Sequence, residues 1–366
     1  MRRNEKPILV STPSLSSLEK YVSLLESVWN TGILTHNGPL VRKLENEICK
    51  ILKVKNCVAV SNGTIALQMA IRALGLRGEI ITTPFSWIAT VSAIMWERCK
   101  PVFVDIDPNT FNIDPDLIEA AITNKTSAIL PVHVFGNPVE IKKIEGIARK
   151  HNLKIIYDAA HAFGVNHKEK SILSFGDISI TSFHATKLFN TAEGGACFTQ
   201  NDELFLRLQR IRFFGHDQKK KIVEEGFNGK MTEVHAALGL ANLKIFKNSL
   251  KGRKNVFKIY KSYLCNLNSV SFQEFNADEY NYSYMPIVFE NEKLRTKIEL
   301  ELIKNNFIPR RYFDTSLNTL DFFKPIQKMK VSESLSKRIL CLPCHESIGE
   351  NTIEKISKII LKTSNK

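Results

Sequence analysis

Between residue 54 and about residue 200, short and continuously apolar β-type runs alternate with stretches whose apolar positions recur at helical spacing. Val58-Ala59-Val60 precedes a predicted helix from Thr64 to Leu76, and Ile80-Ile81-Thr82 precedes another around Val91 to Trp96. Val102-Phe103-Val104 leads to a short helix near Pro115 to Ile122. Ala128-Ile129-Leu130-Pro131-Val132 leads to an amphipathic helix at Val139 to Lys150. Ile155-Ile156-Tyr157, Ile178 to Phe183 and Ala196-Cys197-Phe198 complete the series. Strands alternating with helices predict an α/β fold with a mostly parallel central sheet. Within the strands no period-2 alternation appears, which agrees with burial on both faces.

After Gly229 the pattern changes. A long helical stretch runs from Thr232 through Leu264, with a break or bend expected near Gly252. A smaller α+β piece follows: a strand at Tyr282 to Phe289, a helix at Lys293 to Asn305, a strand at Leu340-Cys341-Leu342 and a closing helix at Thr352 to Leu361. Residues 1–245 read as a large domain and residues 246–366 as a small C-terminal one. No internal repeat or low-complexity segment stands out.

In an open α/β sheet, ligands bind outside the carboxyl ends of the strands. Ser61, Thr83, Asp105, His133, Asp158 and His184 all fall at or just past such ends. One site is therefore expected there.

Composition narrows the function classes. The 366 residues suffice for a large core, and 43% hydrophobic with 24% charged residues is ordinary for a soluble globular chain. No apolar stretch is long enough to span a bilayer, and the N-terminus leads into no signal core, so no membrane insertion and a cytoplasmic address are expected. The formal charge of +14 invites a nucleic-acid reading, but lysines are spread along the chain and no nucleic-acid motif appears. A basic balance instead favours anionic substrates, or an anionic membrane surface nearby. The cysteines are odd in number and scattered in apolar runs, as expected of reduced thiols. Cys341-Leu342-Pro343-Cys344-His345 matches the spacing of haem attachment but reads better as a strand end and Pro turn. No second Cys/His pair at ligand spacing supports zinc.

Three segments carry chemistry. Ser61-Asn62-Gly63-Thr64 is a strand-to-helix turn whose free N–H groups suit a phosphate, although a simple N-cap at Thr64 explains it equally well. Asp158 ends a buried run beside two alanines that leave room for a flat ring. Lys187 lies among Phe183, Leu188 and Phe189, ahead of the tight Glu193-Gly194-Gly195 turn. An acid and an amine at neighbouring strand ends suit pyridoxal 5′-phosphate, which takes a carboxylate against its ring nitrogen and a lysine on its aldehyde. A lysine kept from water becomes a usable nucleophile and base. Trp87 follows another strand end and could stack on the ring; taken alone it reads as a core aromatic.

With these residues in hand, the chain resembles the sugar-nucleotide aminotransferases of the DegT/StrS class, which have the fold-type I, aspartate aminotransferase-like architecture. The matching segments are SNGTIAL at 61–67, TTPFSWIAT at 82–90, KPVFVDID at 100–107 and LPVHVFG at 130–136. YDAAHAFG at 157–164, SFHATK at 182–187, EGGACFT at 193–199 and GFNGKM at 226–231 continue the series. The resemblance implies that Lys187 bonds to the coenzyme aldehyde and moves the substrate proton, that Asp158 pairs with the ring nitrogen and that Trp87 stacks on the ring. It further implies that Gly63, Thr64 and Ser182 bind the phosphate, joined by Asn228 from the other subunit of a homodimer with shared active sites. His161, where many relatives carry Gln, would lie near the ring hydroxyl. His184, Asn190, His216 and Tyr312 become candidates for contact with sugar or nucleotide. Dehydratases of the same class carry His in place of the lysine, so Lys187 favours transamination.

SFHATKLFNT, with ILTHNGP at 33–39, looks most like members that aminate dTDP-4-keto-6-deoxyglucose at C-4. The expected partners are that nucleotide sugar and an amino-acid donor, L-glutamate, and the product would serve a surface polysaccharide such as an O-antigen. Amination at C-3 of a 3-keto isomer, or a pyridoxal phosphate-binding regulator without turnover, remain the alternatives.

Overall fold

Seven strands build the central sheet: β1 (Asn56–Val60), β2 (Glu79–Thr82), β3 (Lys100–Phe103), β4 (Thr126–Leu130), β5 (Lys154–Asp158), β6 (Ile178–Ser182) and β7 (Gly195–Thr199). This is the arrangement in a computed structural model describing residues 6–275, 280–323 and 327–364. The strand order is β1-β7-β6-β5-β4-β2-β3. The pairings of β2 with β3, β2 with β4, β4 with β5 and β5 with β6 are parallel. Only β7 runs antiparallel, to β1 on one side and to β6 on the other. The architecture is the expected α/β, fold-type I one.

Alternate residues of each strand feed opposite cores. Ala59, Ile81, Tyr157 and Ala196 join one cluster, whereas Val58, Ile80, Ile156 and Cys197 join the other. Both faces are thus dry, which is why the strands read as unbroken apolar runs. Each such Ile or Val contributes about 1.5–3 kcal/mol by leaving water.

Eleven helices among the described residues include α1 (Leu18–Thr31), α2 (Pro39–Leu52), α3 (Gly63–Ala73), α4 (Ile88–Trp96), α5 (Ile141–Lys150), α6 (Asp202–Arg212), α7 (Glu233–Leu243) and α8 (Phe246–Leu264). Several expectations need correction. The stretch from Pro115 to Ile122 forms two 3-10 turns instead of one helix. The break in the long helical stretch falls at Lys244–Ile245, between α7 and α8, and α8 runs unbroken through Gly252. Gly252 serves a close approach: a Cβ there would lie 2.5 Å from the Cβ of Glu346. The cap of α3 is Asn62, not Thr64, with Oδ1 accepting from the Ile65 N–H at 2.9 Å.

Beyond Ile245 a second core forms around an antiparallel sheet of β8 (Val270–Phe272), β9 (Met285–Phe289) and β10 (Ile339–Leu342). Helices α9 (Glu292–Lys304), α10 (Lys330–Arg338) and α11 (Glu350–Ser364) complete it. The strand expected from Tyr282 begins at Met285. Ile8–Leu9 pairs parallel with Phe307–Ile308, so this short strand is tied to the second core. No helix among the described residues is long and apolar enough to cross a membrane.

Candidate active site

The carboxyl ends of β1, β5 and β6 open on one cavity, lined by Gly63, Thr64, Trp87, Thr90, Asp158, His161, Ser182, His184, Lys187, Arg310, Tyr312 and Phe313 among others. The strands deliver the first of these because each apolar run ends in a polar residue at the sheet edge. The last three arrive from the segment beyond α9, where Tyr312 and Phe313 share an apolar cluster with Phe85 and Phe135. The cleft is therefore walled by both parts of the chain.

Asp158 ends β5 and is only 4% exposed. Its Oδ2 accepts from the Thr90 hydroxyl at 2.8 Å and its Oδ1 accepts from the Ala160 N–H at 3.1 Å. Burial pushes its pKa up, while the Thr90 and Ala160 donors and the nearby Lys187 charge pull it back toward the ionised form. Lys187 faces the same cavity on a loop drawn tight by Phe183, whose N–H donates to the Gly194 carbonyl at 2.8 Å. Its Nζ donates to the Tyr284 hydroxyl at 3.2 Å. Desolvation lowers its pKa to about 8; the Asp158 charge opposes this fall and that of Arg310 adds to it. Near neutrality a useful fraction of the amine is unprotonated, as a nucleophile or base requires.

The first turn of α3 lines the same cavity. Its free N–H groups and the Thr64 and Ser182 hydroxyls suit an anion. Close packing shapes this corner. A Cβ on Gly63 would come 3.0 Å from the Ser182 Cβ, and one on Gly195 would come 2.7 Å from the backbone carbon of Asn62. Gly195 pairs with Ser182 on one side and Val60 on the other, which seats the turn against the sheet.

His161 is 8% exposed, with its ring nearly parallel to those of Phe135 and Phe313 at interplanar angles of 4° and 6°. Its Nδ1 accepts from the Phe135 N–H at 3.2 Å. Burial, with the Lys187 charge, holds its pKa well below the usual histidine value. The ring is thus neutral with its proton on Nε2, a fixed donor. Trp87, the N-cap of α4, is 52% exposed at the rim, and the Arg310 guanidinium lies 5.9 Å from its ring centroid and 4.8 Å from that of Tyr312. His184 is exposed, with Nδ1 2.9 Å from the Thr186 hydroxyl.

Three candidates lie elsewhere. Asn190 is 1% exposed, and its amide is engaged by the Ser14 carbonyl, the Ala192 N–H and Asn242. A lysine-loop neighbour in sequence, it points away from the cleft. His216 lines a separate cationic cavity with Arg210, Arg212 and Lys230. Asn228 accepts from Lys230 Nζ at 2.6 Å, beside that second cavity. Conversely, sequence reasoning missed Thr90, Tyr284, Arg310 and Phe313. Thr90 sits inside the quoted TTPFSWIAT segment, three residues after Trp87, so helical spacing alone could have paired it with the site.

The residues fit pyridoxal phosphate. A buried carboxylate, a desolvated amine and a glycine-lined helix start meet in one cavity, and no cluster of metal-ligating side chains occurs among the described residues. Comparison with known proteins points the same way. A model of the DegT/DnrJ/EryC1/StrS aminotransferase family matches residues 17–361. A dTDP-4-amino-4,6-dideoxy-D-glucose transaminase of Shigella dysenteriae is 42% identical, over 97% of this chain and 99% of the relative. One of the same description from Escherichia coli is 37% identical, over 98% and 99%. A crystal structure of DesI in the presence of its TDP-sugar product superposes with a TM-score of 0.93 at 31% identity, covering 98% of this chain and 94% of that one.

Proposed function

The chain belongs to the DegT/DnrJ/EryC1/StrS aminotransferase family and is a pyridoxal 5′-phosphate-dependent sugar transaminase; from that premise we propose that it converts dTDP-4-dehydro-6-deoxy-D-glucose to dTDP-4-amino-4,6-dideoxy-D-glucose with L-glutamate as donor. The product would enter a surface polysaccharide such as an O-antigen, and the enzyme would work in the cytoplasm. The observation that carries the chemistry is the meeting of Lys187 and Asp158 in one cavity. Support for this sugar comes from the two transaminase relatives, similar along nearly their whole length.

Bound here, pyridoxal phosphate supplies an electron sink for the donor's Cα and carries the amino group from one substrate to the other. The protein's own residues do the rest. Lys187, its amine held partly neutral, takes the Cα proton and returns it. Asp158 would hold a proton on the ring nitrogen, and His161 would offer its Nε2–H to the ring's edge. The α3 N-terminus with Ser182 would anchor the phosphate.

A homodimer with shared sites is part of the proposal. Asn228 and His216 lie outside this chain's cleft, where a second copy could use them. Sedimentation velocity should give twice the chain mass.

The deciding assay offers the 4-keto and 3-keto dTDP-sugars side by side with glutamate and locates the new nitrogen by NMR. Nitrogen at C-4 is expected; nitrogen at C-3 would make this the 3-keto enzyme. Lys187→Ala should lose the visible coenzyme band and turnover together. Coenzyme bound without any turnover would favour the regulator.

A further inference from the structure

Beneath the cavity, three buried oxygens stand in a row. Ser86 is 3% exposed, Thr90 1% and Asp158 4%. The Ser86 and Thr90 hydroxyls are 2.8 Å apart, and the Thr90 hydroxyl donates to Asp158 Oδ2 at 2.8 Å. Thr90 has a single hydroxyl proton, and its hydrogen bond to the carboxylate uses it. Ser86 must therefore be the donor in the other bond. Both O–H bonds then point toward Asp158, and each polarises the next.

We propose that Thr90, oriented by Ser86, is the positioning residue that keeps Asp158 ionised against the coenzyme's ring nitrogen. The inference rests on the pyridoxal phosphate reading of the site and adds to it the source of the carboxylate's charge. Asp158 is nearly dry, and burial alone favours its neutral acid. Thr90 and the Ala160 N–H give each carboxylate oxygen one fixed donor. Lys187, the charged neighbour that acts on Asp158, cannot carry this duty alone, because its amine gives up its positive charge as it works.

The local fold explains why a threonine serves. Thr90 lies in the first turn of α4, and its N–H donates to the Trp87 carbonyl at 3.2 Å. A threonine in a helix has two favoured χ1 wells, and the bonds to Ser86 and Asp158 select the one that faces the carboxylate. The same turn that presents Trp87 at the rim thus presents Thr90 at the floor. Without the Thr90 hydroxyl the proton shared between Asp158 and the ring nitrogen moves onto the carboxylate oxygen.

The test reads that proton directly and uses no sugar. Holoenzyme is loaded with pyridoxal phosphate labelled with 15N in the ring, and the ring-nitrogen shift is recorded at pH 7.5 for wild type, Thr90→Val, Thr90→Ser and Ser86→Ala. Wild type and Thr90→Ser should show a protonated ring nitrogen, Thr90→Val the unprotonated shift, and Ser86→Ala a partial move. Thr90→Val should also lower kcat by about 10–100-fold with the glutamate KM nearly unchanged, the size expected for a bond to a charged group. Should Thr90→Val fail to fold, Thr90→Ala is read the same way. A protonated nitrogen persisting in the hydroxyl-free variants overturns the proposal, and an unmoved Ser86→Ala removes Ser86 from it. Wild type with no coenzyme band would overturn the pyridoxal phosphate reading instead.

Discussion

Lys187 Nζ donates to the Tyr284 hydroxyl at 3.2 Å, joining the lysine loop of the central sheet to the segment just ahead of β9 in the second core. Burial pushes the Tyr284 phenol well above its usual pKa, so it stays a neutral acceptor throughout the working range. An acceptor favours the protonated amine, whereas desolvation favours the neutral one. Desolvation is the larger effect, and the Lys187 pKa falls to about 8.

Capture of pyridoxal phosphate by the apo-protein should therefore follow the neutral Lys187 amine. The second-order loading rate, read by stopped-flow visible absorbance, should rise about tenfold per pH unit below 8 and level off above it. Tyr284→Phe removes the acceptor and should move the midpoint downward. The same shift has a stability consequence. Between about 8 and the unfolded lysine value the unfolded chain binds more protons, so apo-protein stability should rise with pH across that window, and Lys187→Met should flatten it. A loading rate independent of pH would contradict this account of the amine.

Acid should weaken the fold through its buried histidines. His133 is fully buried, its Nδ1 accepts from the Val139 N–H at 3.1 Å, and burial lowers its pKa to about 3. Below about pH 6.5 the unfolded histidine takes a proton that the folded one refuses, so stability falls as pH falls. Urea unfolding of apo-protein between pH 6.5 and 4 should show a slope steeper by about 1.4 kcal/mol per pH unit in wild type than in His133→Asn. Equal slopes would mean that His133 is protonated in the fold.

Gly195→Ala should damage the proposed phosphate corner selectively. The new Cβ would meet the backbone of Asn62 and Gly63 at 2.7–2.8 Å, and backbone there cannot step aside without moving the start of α3. Overpacking of this kind costs about 1–3 kcal/mol, so coenzyme affinity measured by dialysis and absorbance should drop by roughly 5–150-fold. Gly146→Ala, with no atom within 4 Å of the new Cβ, is the control and should bind as wild type does.

Much of this site was legible because the sheet itself sorts residues. A parallel strand buried on both faces must be apolar until it leaves the sheet, so Asp158 and Ser182 announce the carboxyl edge by their position. Lys187 was readable through its apolar flanks. Loops follow no such period. Asn190 sits three residues from Lys187, yet its side chain turns to Ser14 and Asn242, far away in sequence. Tyr284, Arg310 and Phe313 come from a segment about a hundred residues downstream of Lys187, and no local pattern ties them to the edge of β5. The break at Lys244–Ile245 was hidden for a related reason: neither residue is a helix breaker, whereas Gly252, the conspicuous breaker, is tolerated inside α8 for its contact with Glu346.

Arg310 is the residue on which donor recognition should turn. Its guanidinium lies near both the Trp87 and the Tyr312 ring, and no carboxylate pairs with it among the described residues. Its charge reaches Lys187, helping to depress that amine. A cation so near the reacting amine suits the α-carboxylate of an amino acid, which sits one bond from the reacting carbon. In the proposed 4-keto substrate the diphosphate lies across the hexose from the reacting carbon. Arg310→Ala should therefore raise the glutamate KM by about 10–100-fold, as expected for loss of a charge-assisted bond, while the nucleotide-sugar KM changes little. Arg310→Lys should recover only part of the loss, because it keeps the charge but not the planar fork. Half-reactions followed separately by absorbance would check this. A defect confined to the sugar half-reaction would assign Arg310 to the diphosphate instead.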